Sequence, residues 1–156
     1  MSRSDSKQSL LKAKQTVYKL LDFRLRSEQE LRDKLKSKAL PVPIIEQTID
    51  YFHELDLVND QRFAREWISS RLKKPFGLNR IRLELQKKGI DALIIQEALN
   101  TASEEFNELE TVTALARHRA KKYKGLEPQK LKQRLYGYLT RRGFTANTVL
   151  KAINSL

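Results

Sequence analysis

One spacing recurs three times along this chain. Leu31, Leu35, Ala39 and Leu40, then Ile81, Leu85, Gly89 and Ile90, then Leu135, Leu139, Gly143 and Phe144 superimpose without gaps at offsets 0, 4, 8 and 9. The register continues into the following segment, with Ile45, Ile95 and Val149 at offset 14 and Ile49, Leu99 and Ile153 at offset 18. Intervals of four place residues on one face of a helix, whereas a strand needs alternation, so the pattern predicts an all-α chain. The anchors Leu31, Ile81 and Leu135 lie 50 and then 54 residues apart, room for three short helices in each unit. The expected fold is three tandem three-helix repeats forming an elongated, curved molecule: a tail over 1–9, then units over 10–58, 59–106 and 107–156.

Local punctuation agrees with these boundaries. Ser27 and Glu30 have capping-box spacing, which predicts a helix start with the serine accepting from an early N–H and the glutamate reaching back. Gly89 and Gly143 fall where the middle helix of units two and three must stop, a place where a left-handed residue is least strained as glycine. Ala39 holds the same place in unit one. Pro43 and Pro128 suit first-turn positions, where a missing N–H costs nothing. An ordinary bundle is the alternative, but it shares the helical period without glycine stops in register. Each unit is expected to bury part of its apolar face against a neighbour. Trp67, with Phe63, Ala64 and Ile68, reads as core of the middle unit rather than as a platform for bases.

The inventory removes several functions. The chain has no cysteine, so disulfides, thiolate metal sites and thiol nucleophiles are excluded. Its two histidines, His53 and His118, stand in no ligand or catalytic motif, and no Gly-rich phosphate loop occurs. An enzyme is therefore the least favoured class, and no cofactor or metal is expected. No apolar run reaches membrane-spanning length, and Met1 to Gln8 lack the apolar core of a secretory signal. A cytoplasmic protein without membrane contact is expected.

Charge supplies the positive clue. Lys and Arg number 31 against 19 Asp and Glu, a formal charge of +12. It alternates along the chain: +6 over 1–40, −4 over 41–58, +6 over 59–90, −6 over 91–116 and +10 over 117–156. The first two helices of units one and two are thus basic and the third acidic, and the last unit breaks the pattern. A surface dominated by one sign draws polyanions. Lys121, Lys122, Lys130, Arg134, Arg141 and Arg142 are the candidate contacts, with Arg80, Lys87 and Lys88 as a second patch. Tyr123, Tyr136 and Tyr138 are interleaved there and offer faces for base stacking, with at least one packing inward.

Four segments carry a family resemblance. They are Arg26, Ser27, Glu30, Leu31, Lys34 and Leu35; Leu57, Asn59, Asp60, Arg62, Phe63 and Ala64; Gly77, Arg80, Ile81, Glu84, Leu85, Lys88, Gly89 and Ile90; and Arg142, Gly143 and Phe144. Each alone is a weak string of helix formers. In this order, from about Leu10 to the end, they resemble the RecX family of recombination regulators. The chain departs from that pattern at Asp56, where the family often has glycine, and at Asn59, which replaces an acidic residue.

The resemblance implies three tandem three-helix units and a non-enzymatic role restraining the RecA recombinase. The means would be docking on the RecA–DNA filament, lowering its ATPase and strand exchange, or blocking its growth. It also implies some affinity for single- or double-stranded DNA, and a monomer is expected. Two other classes stand beside this one: a free-standing nucleic-acid binder that uses paired short helices, and a helical adaptor that needs no nucleic acid.

Overall fold

The computed structural model describes residues 2–156, and every element among them is helical. Unit one comprises α1 (Arg3–Phe23), α2 (Glu28–Ser37) and α3 (Val42–Glu54). Unit two comprises α4 (Asp60–Leu72), α5 (Leu78–Lys87) and α6 (Ala92–Glu105). Unit three comprises α7 (Glu108–Ala120), α8 (Pro128–Arg141) and α9 (Ala146–Asn154), with a 3-10 turn at Lys121–Tyr123 before α8. The last interval of the repeat is four residues longer, and α8 carries those four as an extra N-terminal turn relative to α5. None of these helices is long and apolar enough to cross a membrane.

Residues 3–9, expected as a tail, continue α1. The Ser2 hydroxyl accepts from the Asp5 N–H, and Asp5 lies in the first turn, so the helix has both a cap and a favourable charge at its start.

Every helix buries a pair of residues four apart. The middle helices contribute Leu31 and Leu35, Ile81 and Leu85, and Leu135 and Leu139, all fully buried. The third helices contribute Ile45 and Ile49, Ile95 and Leu99, and Val149 and Ile153. The first helices follow with Ala13 and Val17, Ala64 and Ile68, and Val112 and Ala116.

The offsets of 4, 8 and 9 have a single geometric cause. In unit one the Leu40 N–H donates to the Leu35 carbonyl and the Ala39 N–H to Lys36; Ile90 to Leu85 with Gly89 to Gln86, and Phe144 to Leu139 with Gly143 to Thr140, repeat it. This is the Schellman stop, in which the residue after the left-handed position also packs on the one at offset 4. Ala39 adopts φ 57°, Gly89 76° and Gly143 94°. Asp56 makes the same stop after α3 at φ 55°, its carboxylate accepting from Arg62 and Asn59. Aspartate tolerates that region better than alanine does. The left-handed conformation costs an L-residue about 1–2 kcal/mol, and glycine gives back about 0.5–1 kcal/mol in chain entropy. Ala39→Gly is therefore expected to raise stability by about 0.5–1 kcal/mol, seen as a higher thermal midpoint; a lower one would contradict this account of the turn.

The three units keep three separate cores rather than one shared apolar seam. Single side chains cross between them. Leu25, before α2, packs on the second core, and Phe106, before α7, packs on the third. The consequence is an extended surface: 10049 Å², against roughly 8100 Å² expected for a compact monomer of 18.2 kDa.

Candidate anion-binding interface

With so little apolar surface shared, polar and backbone contacts set the geometry between units. The N-terminus of α2 abuts the C-terminus of α5, and that of α5 the C-terminus of α8, so the positive end of one helix dipole meets the negative end of another.

In the joint between units one and two, Ser27 is fully buried and uses its hydroxyl twice: it accepts from the Glu30 N–H at 3.1 Å and donates to the Lys88 carbonyl at 2.7 Å. The expected return bond of a capping box does not form. Glu30 instead pairs with Arg24, Arg26 and Lys88, the last across the joint at 3.5 Å. Asp60, from the start of α4, accepts from the Glu28 N–H at 2.9 Å. Burial, aided by the nearby Glu28 carboxylate, pushes the Asp60 carboxyl above the ordinary aspartate range despite that bond. His53 pairs with the Glu28 side chain at the same place.

The joint between units two and three is tighter in its backbone. The Gly77 N–H donates to the Arg142 carbonyl at 2.8 Å and the Asn79 N–H to Gly143 at 3.1 Å. A Cβ on Gly77 would lie 2.3 Å from the Gly143 carbonyl carbon, and one on Gly143 would lie 2.3 Å from the Arg80 Cβ. In the first joint, a Cβ on Gly89 would meet Gln29 at 2.4 Å. Glycine at the second and third stops is thus demanded by the neighbouring unit as well as by φ. Ala39, at the first stop, is exposed, and its methyl is accommodated there.

Around this second joint the cations gather. The Phe76 ring carries Arg80 at 3.8 Å, Arg71 at 4.4 Å and Arg142 at 5.6 Å from its centroid. Arg71 is paired with Glu84, but no carboxylate of the described residues pairs with Arg80 or Arg142. Beside the ring an open groove of about 390 Å³ is lined by Arg80, Leu83 and Lys87 of α5 and by Thr140 and Arg141 of α8. A second groove of about 420 Å³ runs along α8 past Tyr123, Gln133, Arg134 and Arg141. Gly137 lets the Arg141 guanidinium lie against the helix, since a Cβ there would stand 2.9 Å from its Nη1.

The candidate residues therefore divide. Arg80, Lys87 and Arg141, from two patches 54 residues apart in the chain at Lys87 and Arg141, line one groove, and Arg134 lines its neighbour. Lys121, Lys122 and Lys130 are exposed and line neither. Lys88 and Arg142 are half-buried joint residues: Lys88 meets Glu30 and lies 5.1 Å from the Trp67 ring, while Arg142 donates to the Pro75 carbonyl and covers Tyr138.

The aromatic residues are mostly enclosed. Tyr123 and Tyr138 pack on the third core under Arg119, Arg134 and Arg142, leaving Tyr136 as the exposed member of the three. Arg119 donates to the Tyr123 hydroxyl, a bond that raises the pKa of this guanidinium further. Trp67 is half-buried, stacked on Phe63 at 5.7 Å. Leu83, which lines the groove, and Phe76, the ring beneath the joint arginines, are the residues that sequence reasoning missed. The available signal was Gly77, a glycine standing in register with the serine cap of unit one.

Fold and surface together define a basic three-unit helical repeat protein whose second joint concentrates unpaired cations. Three family descriptions match in tandem: the first three-helix domain of RecX at residues 13–52, the second at 59–99 and the third at 107–153. The regulatory protein RecX of Prosthecochloris aestuarii is 32% identical over 157 residues, covering 100% of this chain and 98% of that one. That of Clostridium botulinum is 28% identical over 155 residues, covering 96% of this chain and 72% of its own. The crystal structure of RecX from Lactobacillus salivarius superimposes with a TM-score of 0.86 at 25% identity, covering 96% of this chain and 97% of that one. The chain belongs to the RecX family of regulatory proteins.

Proposed function

We propose that this protein regulates the RecA recombinase by binding the RecA–DNA filament as a monomer in the bacterial cytoplasm, lowering filament ATPase, growth and strand exchange. The observation that carries this reading is the second joint. Its groove takes Arg80 and Lys87 from one unit and Arg141 from the next, so this basic groove exists only when the two units are assembled. An extended row of units suits a polymeric target, because successive joints meet successive repeats of it. Membership of the RecX family supports the identity of that polymer.

The test is RecA ATPase on single-stranded DNA, with the wild type and with Arg134→Glu combined with Arg141→Glu. Both side chains are exposed, so folding is spared; Arg142 is held in the joint and is the wrong position to reverse. The wild type is expected to inhibit, and the variant to need about tenfold more protein for half inhibition, equivalent to about 1.4 kcal/mol. A saturating wild type that leaves the ATPase unchanged would sink the reading.

A second reading, a DNA binder acting without RecA, is favoured by the +10 charge of residues 117–156. It requires affinity for DNA alone, with a log–log salt slope of roughly −0.9 for each phosphate neutralised on a duplex.

A further inference from the structure

The two joints use equivalent positions with different charges. Glu30 and Arg80 each precede the first anchor of their unit, Leu31 and Ile81; Lys88 and Arg142 each precede the glycine stop of theirs. In the first joint this places Glu30 3.5 Å from Lys88, an ion pair across the boundary. In the second, Arg80 stands in place of the glutamate, and it shares the Phe76 ring with Arg142 instead of neutralising it. The second joint therefore lacks the carboxylate that the first draws from its own chain. Its closure brings like charges together, and two backbone hydrogen bonds, the Arg142–Pro75 contact and the Phe76 ring beneath Arg142 offset the repulsion.

We propose that the missing anion is supplied in trans: a phosphodiester of a single nucleic-acid strand seats between Arg80, Lys87 and Arg141 and locks unit three against unit two. This deepens the reading above, and rests on its premise that the basic surface meets a polyanion. Three observations favour a nucleic-acid strand. Guanidinium forks match phosphate oxygens, and Arg80 and Arg141 present two of them with Lys87 alongside. Leu83, 57% exposed between Arg80 and Lys87, gives an apolar floor for the sugar or base of the same nucleotide. A groove of about 390 Å³ lies in the size range of small-ligand sites and has room for one nucleotide. Glu84, the one carboxylate lining the groove, is occupied by Arg71 at 2.8 Å.

The lock has a direct readout, because the Gly77 and Asn79 N–H groups are the ones that bridge the joint. Hydrogen exchange of these two amides would be followed by NMR on the full chain without RecA, with oligothymidylate, inorganic tripolyphosphate or an acidic peptide added. If the strand binds only the closed joint, both amides are expected to exchange about tenfold more slowly at ten times the Kd, while the amides of α2 and α3 are unaffected. Lys87→Ala with Arg141→Ala should abolish the gain. Arg80→Glu, which recreates the charge pattern of the first joint, should protect both amides without ligand and gain nothing further.

Failure of the oligonucleotide to bind would overturn the proposal, as would binding that leaves Gly77 and Asn79 exchange unchanged or a gain that survives Lys87→Ala with Arg141→Ala. A gain from the acidic peptide alone would assign the seat to a protein surface and overturn it equally. Protection by tripolyphosphate as well as oligothymidylate supports the phosphate seat and limits the part played by Leu83. No arm contains RecA, so loss of the filament reading and loss of this one are separately visible.

Discussion

Gly77→Ala is expected to part units two and three while leaving all three cores intact. Gly77 has φ −90° and ψ 164°, a conformation any L-residue adopts, so alanine brings no backbone strain of its own. What it brings is a Cβ placed 2.3 Å from the Gly143 carbonyl carbon and 2.4 Å from the Gly143 oxygen and the Phe144 nitrogen. All three are backbone atoms tied into the stop of α8, and none has a rotamer to change. Overpacking costs about 1–3 kcal/mol, and separating the joint forfeits two hydrogen bonds worth about 0.5–1.5 kcal/mol each. The total of about 2–6 kcal/mol falls on the joint alone. Circular dichroism should keep its helical signal, while small-angle scattering shows a larger radius of gyration and the proposed inhibition of RecA weakens. Gly125→Ala is the control: its φ of +89° brings strain, but its Cβ would meet nothing within 4 Å. Unchanged scattering and full inhibition by Gly77→Ala would mean that the joint tolerates the methyl and that its closure does not position the groove.

The parts of this fold that a sequence can express are those made by near neighbours in the chain. Leu35, Gly89 and Phe144 show their roles directly, because the helix period and the Schellman stop are both written within nine residues. The first helices were harder to align. Their buried pairs mix sizes, Ala13 with Val17, Ala64 with Ile68 and Val112 with Ala116, and alanine serves equally on an exposed helix face. Joints were the least legible. Nothing local in Ser27 states that its hydroxyl proton goes to Lys88, 61 residues away, or that Asp60 serves the start of α2. The repeat offsets contained part of that information: Ser27 over Gly77 and Glu30 over Arg80 are the two comparisons that mark where the joints differ. Charge density pointed to the last unit, but separating exposed Arg141 from joint-bound Arg142 required their contacts, since adjacent residues on a helix face different ways.

Leu85→Ala tests whether three cores mean three folding units. Leu85 is fully buried in the second core, and its removal is expected to cost about 2–5 kcal/mol. Leu35 and Leu139 hold the same position in the other cores and are equally buried, so the intrinsic loss is of similar size at all three. The array makes the outcomes differ. A terminal unit is coupled to one neighbour and the middle unit to two, so opening the middle releases both joints at once. Hydrogen-exchange mass spectrometry should show Leu35→Ala and Leu139→Ala loosening their own units, and Leu85→Ala loosening unit two together with the Ser27 and Gly77 segments. A single uniform rise in exchange across the whole chain in every variant would show one cooperative body and refute separate cores. The same comparison reaches function, because the groove is shared by α5 and α8 and owes nothing to unit one. Leu35→Ala should retain oligonucleotide binding that Leu85→Ala and Leu139→Ala both lose, which would assign anion recognition to the second and third units acting as a pair.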